Sequence, residues 1–449
     1  MYIKRLIDSE LVEWRGMRSH KPILLRGARQ VGKSSTVRHL GESFRYSIEV
    51  NFEKRPELKQ VFAEVHDVKE IAARIGKLYG VPVVAGKTLL FLDEIQACEE
   101  ALKSLWFFKE DYPELHVIAA GSLLEFTLKN IHTYGVGRIR SMFMYPLSFD
   151  EFLMATGHSS WIAAKNEADG PLFDALHNDL VQSFRSFLMV GGMPASVVAW
   201  VTTGDYRNCA NEQDDIQQSY YDDFAKYSSR IDPMLLRNTL RCAIMQTGKK
   251  FVYSKVDGNY RSSVVKEALT MLCDAGLLKP VQSTACNGLP LGAEVNVKFR
   301  KFIYLDSGLL LRILDMEMGG SQALSEFILA GTAEDLVNRG SLTEMVAGWE
   351  IVKYGSSHTQ HDLYYWENTD NGATAEVDYI ISKNMKPLPI EVKSGTSGKM
   401  KSLALFMKKK GLTDAIRTSL ENFGEICQTD ETTERRIEIV PLYALSRLV

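Results

Sequence analysis

The chain has 449 residues, enough for two to four domains at ~100–200 residues each. Hydrophobic residues make up 45% and charged residues 24%, which excludes wholesale disorder, a collagen-like rod and a disulfide mini-scaffold. A net charge of −3 excludes a uniformly basic surface, so any contact with nucleic acid must come from a local patch.

The cysteines, Cys98, Cys209, Cys242, Cys273, Cys286 and Cys427, form no CxxC pair. That argues against structural zinc and a disulfide framework, and fits a reducing cytoplasm. Met1 to Leu11 carries Lys4, Arg5, Asp8 and Glu10 and lacks the apolar core of a signal peptide. The uncharged run Ser186–Gly204 contains Gly191, Gly192 and Pro194 and no apolar stretch of ~18 residues, so it reads as a buried helix–turn–helix. No membrane association is expected.

The first third alternates short apolar runs with helical patterns, the signature of a parallel α/β sheet. Pro22–Leu25 is a short strand ending at Gly27, and Tyr46–Phe52 alternates like a second. Thr88–Leu92 is continuously apolar up to Asp93 and Glu94, as expected of a strand buried on both faces. His116–Ala120 is another, ending in Gly121 and Ser122. Polar residues thus gather after the strands' carboxyl ends, where open α/β sheets bind ligands.

Between strand and helix lies Gly27-Ala28-Arg29-Gln30-Val31-Gly32-Lys33-Ser34, followed by Ser35: a GxxxxGKS phosphate loop. Gly27 and Gly32 let the backbone curl so that its N–H groups face phosphate oxygens. Lys33 puts a point charge on the β- and γ-phosphates of ATP, and Ser34 offers a hydroxyl to Mg²⁺ at a helix N-terminus. Asp93 then holds the Mg²⁺ through water, and Glu94 polarises the attacking water. The competing reading of Asp93 and Glu94 is an exposed acidic turn after a buried strand. Ser122 senses the γ-phosphate or caps a helix, with Glu125 at capping-box spacing; the two roles can coexist. Arg138, after Tyr134-Gly135-Val136-Gly137, is either an arginine finger for a neighbouring subunit's nucleotide or a solvated loop residue.

From about Ser148 to Arg230 the period turns helical, with Phe149, Phe152 and Leu153 on one face and Phe184, Phe187 and Leu188 on another. Leu235–Met245 and Ser262–Ala275 are helices, the second ended by Gly276. Leu277–Val281 and Val297–Leu305 form a hairpin, giving the element order of a winged helix. Ser262–Ala275 is its groove-reading candidate, although Arg261 and Lys266 are offset by Glu267 and Asp274. Winged helices also bind proteins.

Several motifs in order, the phosphate loop, Phe91–Gln96, Ala120–Ser122, Gly137-Arg138, Pro146–Phe152 and Gly191–Pro194, resemble the archaeal-ATPase clade of AAA+-related ATPases. The resemblance covers nearly the whole chain. It implies an ATPase with a C-terminal domain of unknown function, Asp93 and Glu94 as the Walker B pair, and Ser122 as the sensor.

The last part, from about Ala333, reads helix, three strands, helix, strand. It contains Glu376–Ile381 and Pro389–Ser394, with Glu391 and Lys393 on one strand face and Asp378 on the neighbouring strand. Glu344 lies on the inner face of the helix upstream. This resembles the PD-(D/E)xK nuclease fold. Asp378, Glu391 and Glu344 can hold one or two Mg²⁺ ions, with Lys393 stabilising the developing phosphorane charge. Lys399, Lys401 and Lys408–Lys410 are candidate backbone contacts to DNA or RNA, or a solvated helix end. The bland alternative is a nuclease-like fold kept as a structural or protein-binding module.

The expected class is therefore α/β: a P-loop NTPase (AAA+-like) parallel sheet, a helical and winged-helix region, then a PD-(D/E)xK nuclease-like α/β domain. The expected divisions are 1–155 for the ATPase domain, 156–232 for a helical lid, 233–320 for the winged helix and 321–449 for the nuclease-like domain. The expected activity is Mg-dependent ATP hydrolysis in a homo-oligomer that handles DNA or RNA, with an ATP-controlled protein-binding switch as the alternative.

Overall fold

The structure, a computed structural model, describes residues 1–65, 67–122, 124, 128, 137–226, 230–317, 339–368, 375–394, 400–430 and 433–449. They divide into two compact units. The first comprises Met1–Pro146 with Asp274–Gly276 and Ser356–Gln360, and the second the remainder.

In the first unit, apolar runs become strands wherever both faces are covered. Helix α1 (Ile7–Gly16) precedes β1 (Ile23–Arg26), and the phosphate loop leads into α2 (Lys33–Gly41). Strand β2 (Tyr46–Asn51) follows, then α3 (Lys59–Glu64), α4 (Val68–Tyr79), β3 (Thr88–Asp93), α5 (Glu99–Asp111), β4 (His116–Ala120) and β5 (Arg140–Phe143). All of β3 and β4 is buried, as their uninterrupted apolar runs predict. Helix α4 shows the complementary pattern. Asp67 caps it by accepting from Lys69 N, Gly80 ends it in the left-handed region, and Val68, Ile71, Ala72 and Ile75 face inward. These residues pack with Val50, Leu92, Leu105 and Phe108 in one core.

The sheet is parallel throughout, in the order β2-β3-β4-β1-β5. Strand β4 therefore lies between β1 and β3, and the carboxyl ends of all three open on one edge. That edge carries the phosphate loop, Asp93 with Glu94, and Ser122. At the sheet's outer margin, Phe143 N donates to Ser357 O at 2.8 Å, so β5 does not end in an open ladder.

The second unit starts with helices: α6 (Phe149–Ala155), α7 (Ser159–Asn166), α8 (Asp174–Val190), α9 (Pro194–Thr203), α10 (Tyr206–Ala225) and α11 (Pro233–Met245). Ser148 and Glu151 form a reciprocal capping box at the start of α6. Phe149, Phe152, Phe184 and Phe187 meet between α6 and α8, with ring centroids 5.2–6.5 Å apart. The run Ser186–Gly204 is the end of α8, a Gly191–Met193 turn and α9, as its glycines and proline foretold. Among the described residues no helix is long and apolar enough to cross a membrane.

Helix α12 (Ser262–Asp274) and the hairpin β6 (Leu278–Thr284)–β7 (Val295–Tyr304) follow, then α13 (Ser307–Glu317) and α14 (Arg339–Tyr354). Next come β8 (Leu363–Asn368), β9 (Ala375–Lys383), β10 (Lys386–Val392), α15 (Lys401–Lys410), β11 (Asp414–Ser419), β12 (Gly424–Asp430) and β13 (Thr433–Pro441). Two features depart from the sequence reading. First, the hairpin is not a free wing: β6 pairs in parallel with β8, Val281 opposite Leu363. It thereby joins one eight-stranded sheet of order β12-β13-β11-β10-β9-β8-β6-β7. The divisions expected at 232/233 and 320/321 lie inside this unit. Second, α15 is followed by three strands rather than one, because β13 pairs with β11 and carries β12 at its edge. Leu403, Phe406 and Met407 of α15 pack on Trp366, Val377, Ile380, Ala415 and Ile437 of this sheet.

Candidate functional site

The phosphate loop is shaped by backbone angles that few side chains accept. Gly27 has φ +146°, and a Cβ there would lie 2.1 Å from Met144 O. Gly32, at φ +99°, turns the chain into α2, whose first residues are Lys33, Ser34 and the exposed Ser35. Gln30 also sits in the left-handed region, at φ 64°, between half-buried Arg29 and buried Val31; Ala28 is buried. Arg5 braces the loop from behind: its guanidinium donates to Val31 O and to Tyr145 O, both at 2.7 Å. No local pattern in Met1–Leu11 signals this role.

Lys33 Nζ donates to Gly27 O at 2.9 Å and Ala28 O at 2.7 Å, across the mouth of the loop. Burial pushes its pKa down to about 8, against the pull of Glu94 and Asp93. Ser34 Oγ donates to Asp93 Oδ1 at 3.0 Å, and Asn51 Nδ2 donates to Oδ2 at 2.9 Å. Burial holds the Asp93 carboxyl above its ordinary value. Glu94 stands in the left-handed region at φ 51° and accepts from Gln96 Nε2 at 2.6 Å. Asn51 was not singled out in the sequence, although it ends β2 directly opposite Asp93, and Gln96 was quoted only as the end of the Phe91–Gln96 motif, with no role assigned.

Ser122 follows β4 on the same edge. Its hydroxyl is buried without a hydrogen-bond partner among the described residues. A buried polar atom of this kind is ordinarily satisfied, and a phosphate oxygen would satisfy it. Glu125, its expected capping partner, lies outside the described residues, as do Tyr134–Val136. Arg138 precedes β5 and so lies at the amino-end edge of the parallel sheet, opposite its own phosphate loop. It is ion-paired with Glu110 and lies 4.9 Å from the ring centre of Trp106.

The donor set of the first unit suits MgATP. Ser34 and Asp93 are adjacent oxygens for a hard cation, and Lys33 and the loop amides surround a phosphate position.

A second cluster forms where α14 crosses the eight-stranded sheet. Glu344 on α14 and Glu376 and Asp378 on β9 bring ligand oxygens within 4.8 Å of one another. Helix and strand meet closely because residue 348 is glycine; a Cβ there would lie 2.4 Å from Tyr379 Oη. That hydroxyl donates to Glu344 O at 2.8 Å. Asp378 Oδ2 accepts from Val392 N at 2.7 Å, tying β9 to β10. Glu391 and Lys393 share a face as expected, with Lys393 Nζ 2.5 Å from Glu391 Oε1. Glu391 Oε2 is buried and has no hydrogen-bond partner among the described residues.

Sequence reading missed the centre's main cation. Lys301 of β7 is 1% exposed at its side chain; its ammonium lies 2.9 Å from Glu344 Oε1 and is also paired with Glu376. Burial opposes its charge, but Glu344, Glu376 and Asp378 more than offset that, so its pKa is raised. Burial raises Glu344 to about 8, and burial with the nearby Asp378 raises Glu391 to about 7. The oxygen donors and the orphaned Glu391 Oε2 fit a hard divalent ion.

Of the lysines proposed as backbone contacts, Lys399 lies outside the described residues. Lys401 is exposed at the start of α15, and Lys408–Lys410 form its last turn. Lys410 Nζ donates to Asn287 Oδ1 at 2.6 Å. Arg261, just before α12, and Lys266 and Glu267 on it are exposed, while Val265, Leu269 and Leu272 are buried.

Comparison with known proteins agrees with the fold of the first unit. Residues 19–153 match the model of the AAA domain. Residues 181–319 and 339–445 match two domains of unknown function, DUF8612 and DUF4143. The first unit is thus a P-loop fold carrying an AAA-type ATPase domain. No curated protein matches the chain. Among solved structures, it is similar to the Walker-type ATPase PABY2304 of Pyrococcus abyssi, at 15% identity over 70% of this chain and 96% of that one, with a TM-score of 0.45. It is also similar to the Aeropyrum pernix ORC1 protein in complex with DNA, at 12% identity over 73% and 93%, TM-score 0.31. Drosophila ORC bound to DNA follows at 14% identity over 69% and 84%, TM-score 0.26.

Proposed function

We propose that the chain hydrolyses MgATP at Gly27–Ser35 and couples its nucleotide state to the binding or processing of DNA or RNA by the carboxylate centre of the second unit. The observation that carries this reading is the Ser34–Asp93 contact of 3.0 Å beside buried Lys33, on the edge that also bears Glu94 and Ser122. Mg²⁺ held by Ser34 and Asp93 supplies charge neutralisation at the β- and γ-phosphates. Glu94, held by Gln96, accepts the proton of the attacking water. The Ser122 hydroxyl donates to the γ-phosphate, and Arg138 of one subunit completes the site of a neighbour in a homo-oligomer. Residues 1–155 act as the motor, 156–232 as its lid, 233–320 as a winged helix and 321–449 as a nuclease-like domain. There Asp378, Glu391 and Glu344 hold divalent metal, and Lys393 faces the developing charge on phosphorus.

A second reading has one observation in its favour. Lys301 already pairs with both Glu344 and Glu376, as suits a centre held together by its own ion pairs. In that case the second unit binds a protein partner under ATP control and cuts nothing. Filter binding with labelled DNA and RNA across a salt series, with and without ATP, separates the two. The first reading expects a steep salt slope that changes with nucleotide, and Mn²⁺-dependent cleavage lost in Lys393→Ala. Flat, nucleotide-independent retention of neither polymer would leave the protein-binding reading in place.

A further inference from the structure

The carboxylate centre contains four acids, Glu344, Glu376, Asp378 and Glu391, and two ammonium groups, Lys301 and Lys393. The two lysines are not equivalent. Lys393 side-chain exposure is 26%, so its charge is partly solvated, whereas Lys301 is sealed at 1%. Lys301 lies between Glu344 and Glu376, with the Tyr365 ring centre 4.9 Å away. An ammonium so enclosed is cut off from bulk water and depends on the carboxylates paired with it. It fills the position that a cation bridging helix α14 and strand β9 would take.

The remaining acids are Asp378 and Glu391. Asp378 accepts a backbone hydrogen bond through Oδ2, which does not neutralise it. Glu391 meets Lys393 through Oε1 while Oε2 is buried and unpartnered. Lys301 thus occupies Glu344 and Glu376, and the oxygens left over, on Asp378 and Glu391, suit one divalent ion. A second divalent ion would have to displace Lys301 from both its partners.

We propose that Lys301 is a built-in cation replacing one metal ion, so that the centre takes a single divalent ion between Asp378 and Glu391. This rests on the reading that the centre binds metal, and goes beyond it by fixing the number of ions and naming the residue that sets it. It also explains why the hairpin β6–β7 joins the sheet through β8: that pairing brings Lys301 to carboxylates presented by α14 and β9.

The test is calorimetric titration of nucleotide-free full-length protein with Mn²⁺. Wild type should bind one ion in the second unit, and Asp378→Asn should lose it. Lys301→Met removes the ammonium while keeping an unbranched apolar stem, and should bind two ions, or one at least about tenfold more tightly. Two ions in wild type, or unchanged stoichiometry and affinity in Lys301→Met, overturns the assignment of Lys301 while leaving the metal reading standing. No ion in wild type overturns both. Where Lys301→Met loses its fold in metal-free buffer, Mn²⁺ should restore its near-ultraviolet circular dichroism by supplying the missing charge. Failure to restore it overturns the proposal.

Discussion

At the scale of single residues, Lys33 has the most consequential environment. Its ammonium is buried, and its pKa lies near 8 rather than at the ordinary value of 10.5. A bound triphosphate favours the charged form. Below about pH 8 that form is already present in the free protein, and ATP binding needs no proton. Above it, binding must take up a proton, so affinity should fall by up to about tenfold per pH unit. Calorimetry in two buffers of different ionisation enthalpy at pH 7 and pH 9.5 checks this. Proton uptake at the higher pH alone is expected, and equal affinity at both values would contradict the burial argument. Lys33, Ser34, Asp93 and Glu94 were legible because each stands next to its element boundary in sequence. Asn51 and Arg5 were not, because their value depends on the alignment of β2 with β3 or on a distant segment folding behind the loop.

At the scale of elements, buried strands betray themselves and sheet partners do not. Thr88–Leu92 and His116–Ala120 read as strands because the apolar runs Leu89–Leu92 and Val117–Ala120 have nowhere else to go. The β6–β8 pairing joins segments some eighty residues apart in the chain, and no periodicity encodes such a pairing. Strands β12 and β13 were missed because polar residues such as Glu425, Gln428, Glu434 and Arg436 alternate along an edge hairpin whose apolar share is small. Lys301 was missed for the first reason: without the β6–β8 pairing it is one lysine on a basic wing. The contact of α14 with β9 supplies an element-scale prediction. Gly348→Ala would put a methyl group 2.4 Å from Tyr379 Oη, in contact with a buried side chain that donates to Glu344 O. Overpacking of this kind costs about 2 kcal/mol. Denaturant unfolding should show the second unit destabilised by roughly that amount, and no change in midpoint would contradict the close approach.

For the whole molecule, the proposal makes one unit a nucleotide-driven motor and the other a polymer- or protein-binding unit. Arg138 lies at the opposite edge of the sheet from its own phosphate loop, so the finger role proposed for it requires a neighbouring subunit. Its pairing with Glu110 must break or rearrange for that. Subunits carrying Arg138→Ala, inactive for want of a finger, mixed with Glu94→Gln subunits should recover part of the wild-type ATP turnover in shared sites. Absence of recovery despite proven mixing would rule out action in trans.

The account depends first on the triphosphate being gripped by the loop that β1 delivers to α2. Calorimetric titration of the full chain with ATP and Mg²⁺, set beside Lys33→Ala, tests that directly. The account predicts saturable binding of one nucleotide per chain to the wild type and none to the variant. Equal binding by both, or none by folded wild type, would contradict it.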